Sequence, residues 1–409
     1  MKKVIFFVKK FPILSQTFVI DQVNSLIDNG FDVQIVSFYK EKETVHLASL
    51  ERNNLLARTH FISPQGAQSV KKPFKLMFIA KFLILSRTYE KKLAPCADLV
   101  VHLMKNSKIT LAYEIAVTSW KNKSKNFNAD SIIAHFGNNG VIANALKNSG
   151  ILSGHLNTVF HGYEISEYEN IELWKNKYVD LAKDSTLLPI SNFWKKRLEQ
   201  WGANSESIRV LRMGVDVDKL LLKYKPVNKP IRIISVARAT EKKGLKYAIS
   251  AMHYLSDDFH LDIIGGGTLQ DELVTLSKTI GVDHRITFHG AQSPDYVQKS
   301  LEKSDIFLLP SVVDSKGDME GIPVALMEAM ASGLVVVSTY HSGIPELIEN
   351  GVSGYLVPEH DAEAIAKAIK NAANSDTLKD IVNEARKKVE SEFNSKKLGQ
   401  ELSTLLKKQ

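Results

Sequence analysis

Short apolar runs alternate with longer amphipathic stretches along most of this chain, and that alternation predicts its architecture. Runs of strand length stand at residues 4–8, 33–38, 131–135, 157–160 and 187–190 in the first half. The second half carries them at 231–236, 261–264, 286–288, 306–310, 335–338 and 354–357. Helical patterns separate them. Strands alternating with helices on this scale make an α/β protein with parallel sheets covered on both faces. At 409 residues, two units of about 200 are the natural prior. A seam is expected at Met213-Gly-Val-Asp-Val-Asp218 through the Lys/Pro-rich stretch 223–230. This divides the chain into 1–215, 216–385 and a charged terminal helix over 386–409.

One segment concentrates candidate chemistry: Asp318-Met-Glu-Gly-Ile-Pro-Val-Ala-Leu-Met-Glu-Ala-Met-Ala-Ser-Gly333. It lies between two apolar runs. Pro323 suits the first position of a helix, where its missing N–H costs nothing, and Gly333 suits the left-handed residue just past the helix end. Glu320 then falls in a loop and Glu328 in the second helical turn, beside Val324, Ala325, Ala331 and Ser332. A carboxylate among small side chains is costly to bury without a partner. An exposed glutamate on a solvated face is the alternative.

Composition narrows the setting. A 44% hydrophobic and 24% charged chain is an ordinary globular protein with ample core. The single cysteine, Cys96, excludes an internal disulfide framework. Lys2 and Lys3 are followed by only five apolar residues before Lys9 and Lys10, too few for a secretory signal. No apolar stretch reaches the roughly 18–20 residues of a spanning helix, so a cytoplasmic protein, free or on the inner face of a membrane, is expected. The formal charge of +8 calls for an anionic partner. Nucleic acid is not expected, since no zinc-ligand cluster or RNP-like motif supports it. Residues 70–92 carry a local charge of +6 around Phe74, Met77, Phe78, Phe82 and Ile84. Two readings stand open there: a helix lying at an anionic membrane surface, or a core helix with lysines at its ends.

A dinucleotide-dependent oxidoreductase is disfavoured. Residues 9–17 after the first strand contain no glycine, and Gly265-Gly-Gly267 has Gln270 where a third fingerprint glycine belongs. A sugar-nucleotide-binding scaffold without catalysis is a further alternative. No Asp-x-Asp stands at a strand end and the 12 histidines show no ligand spacing, so no metal cofactor is expected.

The Glu320-x7-Glu328 pair with Gly321 and Pro323 resembles the signature of the family 4 retaining glycosyltransferases. Other pieces follow in that family's order: His161-Gly162, Arg238 with Lys243-Gly244, Gly265-Gly-Gly267, Ser342-Gly-Ile-Pro-Glu-Leu347 and Asn350-Gly-Val-Ser-Gly-Tyr-Leu-Val-Pro358. Phe11-Pro-Ile-Leu-Ser-Gln-Thr-Phe18, Ala134-His-Phe-Gly137 and Asp318-Met-Glu-Gly-Ile-Pro323 resemble more narrowly the colanic-acid and amylovoran branch of exopolysaccharide enzymes.

The resemblance implies a GT-B fold, two Rossmann-like domains facing each other across a cleft, with the terminal helix crossing back to the first. It implies transfer of a hexose, with retention, from a nucleotide-diphosphate sugar linked to uridine or guanosine. The acceptor it implies is an oligosaccharide, linked to a polyprenyl diphosphate. Arg238 and Lys243 would grip the diphosphate, a guanidinium fork beside a point charge. Lys242 reads as a surface cation. His161 would contact the donor sugar or its phosphate, or else be a satisfied strand-end histidine. Glu320 would orient sugar hydroxyls and Glu328 bind the ribose. Backbone amides at Gly321, Ile322 and Gly343, with Pro323 opening the helix, would add anion contacts, and Gly265 and Gly266 would let the chain approach the nucleotide. Ser15, Gln16, Thr17, His135 and Asn138 are the acceptor-side candidates.

Overall fold

The computed structural model describes residues 1–13, 16–41, 48–222, 224 and 227–409. One sheet holds β1 (Lys3–Phe11), β2 (Asp32–Lys40), β3 (Thr59–Phe61), β4 (Phe127–His135), β5 (Leu152–Phe160) and β6 (Ser185–Pro189). The other holds β7 (Ile231–Val236), β8 (Phe259–Ile264), β9 (Ile286–Gly290), β10 (Ile306–Leu309), β11 (Val335–Thr339) and β12 (Tyr355–Val357). The orders are β3-β2-β1-β4-β5-β6 and β12-β11-β10-β7-β8-β9. Pairing is parallel throughout, from Val4 opposite Val33 in β1–β2 to Ile306 opposite Val335 in β10–β11. The apolar runs explain this, since a strand buried on both faces needs continuous rather than alternating hydrophobicity. All four residues of β10 and all five of β11 are buried.

Only β3 has no counterpart among the expected strands. It is three residues long at a sheet edge, with His60 and Phe61 exposed, so no apolar run marks it.

Each sheet packs its own core. The first runs from Val4 to Leu211 and includes Leu402 and Leu406 of the terminal helix Ser395–Lys408. The second runs from Val215 to Phe393. The chain leaves the first core and returns to it side by side: Val215 N donates to Phe393 O (2.9 Å) and Ser395 N to Val215 O (2.9 Å). Gly214 makes this crossing possible, because a Cβ there would stand 2.2 Å from Phe393 O. Lys2 Nζ fastens the helix end by donating to Leu406 O (3.1 Å) and Lys407 O (2.9 Å).

In both sheets the strand order reverses beside the first strand of the half, between β1 and β4 and between β7 and β10. Crevices outside the carboxyl ends of strands at such reversals are where α/β sheets bind ligands. The loops after β1, β4, β7 and β10 carry most of the candidate residues, while His161 follows β5, Gly265 and Gly266 follow β8, and Gly343 follows β11.

Candidate functional site

A charged knot closes the second-half side. Arg238 sits two residues past β7, exposed, with its guanidinium lacking a hydrogen-bond or ion-pair partner among the described residues. Lys243 Nζ donates to Glu320 Oε2 at 2.8 Å. Lys242 Nζ pairs with Asp318 at 2.8 Å and stands 3.5 Å from Glu320 Oε1. Lys242 is thus a half-buried member of the site rather than a surface cation, and Arg238 is near enough to oppose its charge. Burial alone would push the Glu320 carboxyl up, but Lys243 first and Lys242 next pull it down to about 2. Glu320 is therefore a fixed anion, and its Oε1 accepts no hydrogen bond among the described residues.

The first-half side presents neutral rings. His135 ends β4 and His161 follows β5, with His135 Nδ1 and His161 Nε2 3.0 Å apart. Phe18 and Phe136 crowd His161 with ring centroids at 4.7 and 4.6 Å. Desolvation lowers His135 to about 3 and holds His161 well below its ordinary value, with His135 adding to the effect. One ring nitrogen of His161 is thereby committed and Nδ1 is left for a ligand. His135 is fully buried, so it supports His161 and does not line the acceptor side as expected.

Glu164 anchors this turn from below. Its carboxylate accepts from His161 N (2.7 Å) and Gly162 N (3.1 Å). Complete burial raises it to about 7 against the pull of those N–H groups. Nothing local in the sequence distinguishes Glu164 from a surface glutamate of a short helix.

Backbone contacts join the two sides. Met319 N donates to Ser166 Oγ (3.0 Å) and Tyr168 N to Lys316 O (2.9 Å). A Cβ on Gly321 would lie 2.6 Å from His161 O and 2.5 Å from Ile190 Cδ1, and one on Gly343 would lie 3.1 Å from Ser191 Cβ. These glycines let the halves meet. Farther along, Glu346 accepts from Asn192 N (3.0 Å) and Phe193 N (2.8 Å) at a helix start in the first half, and pairs with Arg212 at 3.0 Å.

The helix Val324–Ser332 ends at Gly333 in the left-handed region (φ 95°). Pro323 stands one place earlier than expected, at the N-cap, because its ψ of 125° is extended. Ile322 is buried behind it. Glu328 is half-buried without a hydrogen-bond or ion-pair partner among the described residues, and desolvation raises its carboxyl. A Cβ on Gly265 would meet Ala237 O at 2.0 Å, beside Arg238, whereas one on Gly266 would only touch Ala291 at 3.9 Å.

On the acceptor side Gln16 and the exposed Thr17 open the helix Thr17–Asp28, and Asn138 Nδ2 reaches Tyr163 Oη at 3.5 Å. Ser15 lies outside the described residues.

The helix Lys72–Thr88 docks one face, Ile79 and Phe82, into the first core, while Phe74, Met77 and Ile84 are more than half exposed on the other. Lys75 is buried, donating to Gln68 O (3.0 Å) and Thr110 Oγ1 (3.1 Å). Lys71, Lys72, Lys81, Arg87, Lys91 and Lys92 remain exposed. Among the described residues no helix is long and apolar enough to cross a membrane.

The family described as "Glycosyl transferases group 1" matches residues 217–389. The amylovoran biosynthesis glycosyltransferase AmsK of Erwinia amylovora is 40% identical over 416 residues, covering 99% of both chains. The putative colanic acid biosynthesis glycosyltransferase WcaL of Escherichia coli K12 is also 40% identical, over 412 residues and 99% of both. Among solved structures, Anabaena Alr3699/HepE in complex with UDP and glucose superposes with a TM-score of 0.70 over all of both chains at 19% identity. That likeness carries the fold, which is GT-B.

Proposed function

The chain belongs to the group 1 glycosyl transferases, in the company of the amylovoran and colanic-acid enzymes, and we propose that it is a retaining hexosyltransferase using a UDP- or GDP-linked donor. The acceptor in this reading is a polyprenyl-diphosphate-linked oligosaccharide of a bacterial exopolysaccharide, elongated on the cytosolic face of the membrane. The observation that carries it is the exposed, unpaired Arg238 beside the Lys242–Lys243–Glu320 knot, with neutral His161 across the cleft. UDP is the first nucleotide to test, as the Anabaena neighbour was solved with UDP and glucose.

Cleaving the sugar–diphosphate bond leaves negative charge on phosphate and electron deficiency on the sugar. Arg238 and Lys243 meet the first with donors already in position, and with Lys242 they supply the positive charge, so no metal is invoked. Glu320 takes a sugar hydroxyl at its buried Oε1, which accepts no hydrogen bond among the described residues. His161, being neutral, binds the donor sugar as a hydrogen-bonding ring rather than a cation. In this front-face route the bond from the anomeric carbon to the diphosphate breaks. The acceptor oxygen forms its bond on the same face, and its proton passes to the departing phosphate oxygen. Gln16, Thr17 and Asn138 are the acceptor contacts. Incubation with UDP- or GDP-hexose and lipid-linked oligosaccharide should release nucleoside diphosphate and give a product whose anomeric NMR coupling matches the donor. An inverted product would overturn retention, and absence of transfer the whole reading.

Glu328 is assigned to the ribose hydroxyls. Glu328→Gln should weaken UDP binding by roughly 1–3 kcal/mol, the weight of hydrogen bonds to a charged acceptor, while Glu320→Gln leaves UDP binding nearly intact. Calorimetry on both variants checks this, and equal losses would reverse the roles.

The helix Lys72–Thr88 is assigned to an anionic bilayer, its bare apolar face ringed by six exposed cations. Each basic residue near such a surface contributes about 1 kcal/mol, screened by salt. Wild-type protein should sediment with phosphatidylserine liposomes at low salt, and the fourfold change of Lys71, Lys72, Lys91 and Lys92 to Gln should release it. A wild type that stays in the supernatant refutes the assignment.

A further inference from the structure

We propose that His341 and Glu359 are positioning residues that hold Glu320 through its backbone; this rests on the assignment of Glu320 to the donor sugar. His341 follows β11 and is fully buried. Its Nε2 accepts the backbone N–H of Glu320 at 3.0 Å. A ring nitrogen that accepts an N–H carries no proton of its own, so the proton of the neutral ring is on Nδ1. Nδ1 donates to Glu359 Oε1 at 2.7 Å. The other oxygen of Glu359 accepts from Val313 N at 2.9 Å. A single His–Glu pair therefore grips the long loop after β10 near both of its ends, at Val313 and at Glu320.

The next residue completes the grip. Ser342 Oγ donates to Glu320 O at 2.6 Å. Ser342 does this from a left-handed backbone (φ 49°), a conformation that costs a non-glycine residue free energy and persists where surroundings enforce it. With its amide and carbonyl both tied, the Glu320 backbone is fixed where its side chain meets Lys243. The pair has the form of a carboxylate that fixes a histidine tautomer so that the far nitrogen does the work. Here that nitrogen holds a peptide group rather than a substrate.

The geometry separates this role from packing. Gln at 341 can present an oxygen near the place of Nε2, whereas Asn reaches only as far as Nδ1. His341→Asn should lower kcat on UDP-glucose about 10–100-fold, as small misplacements of catalytic groups do, with the affinity for UDP changed less than about twofold. His341→Gln should recover most of that loss. Hydrogen exchange of the peptide containing Glu320 supplies a readout independent of turnover. The Glu320 amide should lose protection in His341→Asn and keep it in His341→Gln. Equal protection in the two variants overturns the proposal, and so does a UDP affinity that falls in step with kcat. A wild type inactive on UDP-glucose would count against the donor assignment alone, because the exchange result decides the anchor by itself.

Discussion

Arg238→Ala should lower turnover by about 10²–10³, the usual consequence of losing one preorganised donor to developing charge. The side chain is exposed with no partner among the described residues, so the melting temperature should hardly move, as for surface changes away from special features. Loss of activity at constant stability is the signature of a group that waits for a ligand. Arg238→Lys should not restore full activity, because an ammonium cannot reproduce the planar fork. The check is kcat/KM on UDP-hexose beside a thermal melt. Wild-type kcat/KM in Arg238→Ala would remove the diphosphate from this position.

Glu320→Gln should show the opposite profile, losing both transfer and stability. The carboxylate is buried against Lys243 at 2.8 Å and Lys242 at 3.5 Å, and removing its charge leaves Lys243 without its ion pair and Lys242 with Asp318 alone. Its folded pKa of about 2 lies below the unfolded value near 4.5. A depressed carboxyl contributes its stability above the unfolded pKa and loses it as pH falls through the folded one. The full contribution, roughly 3 kcal/mol at 1.36 kcal/mol per pKa unit, is thus present at pH 7 and shrinks between about pH 4.5 and pH 2. Denaturant unfolding at pH 7 and pH 3 should find the gap between wild type and Glu320→Gln more than halved at the lower pH. A gap independent of pH would mean that the ion pair contributes nothing to folding.

The contrast between these two residues reflects what a sequence displays. Strands buried on both faces announce themselves as apolar runs, so the sheets and the loops at their ends could be read directly. Arg238 and His161 are picked out by the family resemblance, and the apolar runs add only that each stands just past a strand. Glu320 and Glu328 were legible from their spacing around Pro323. What escaped was pairing across distance. His135 reaches His161 from another strand, Glu346 caps a helix in the other half, and Lys242 is half-buried against Asp318 and Glu320. Burial is a property of the assembled halves, and a lysine in a Lys-rich loop gives no local sign of it. The glycines have a second use that the sequence did not display: Gly321 and Gly343 read as anion contacts through their amides, and their missing side chains also make room for His161 O, Ile190 and Ser191. Close approach of backbone to backbone and of backbone to ligand leave the same mark in a sequence.

The central claim is that a nucleoside diphosphate lies on Arg238 and Lys243 at the carboxyl ends of β7 and β10. Unfolding of wild type and Arg238→Ala with and without UDP tests it most directly. UDP at about 100 times its dissociation constant should add roughly 2.7 kcal/mol to wild-type stability, and the same concentration should add far less to Arg238→Ala. Undiminished stabilisation of Arg238→Ala, or wild type unmoved by UDP and GDP alike, would contradict it.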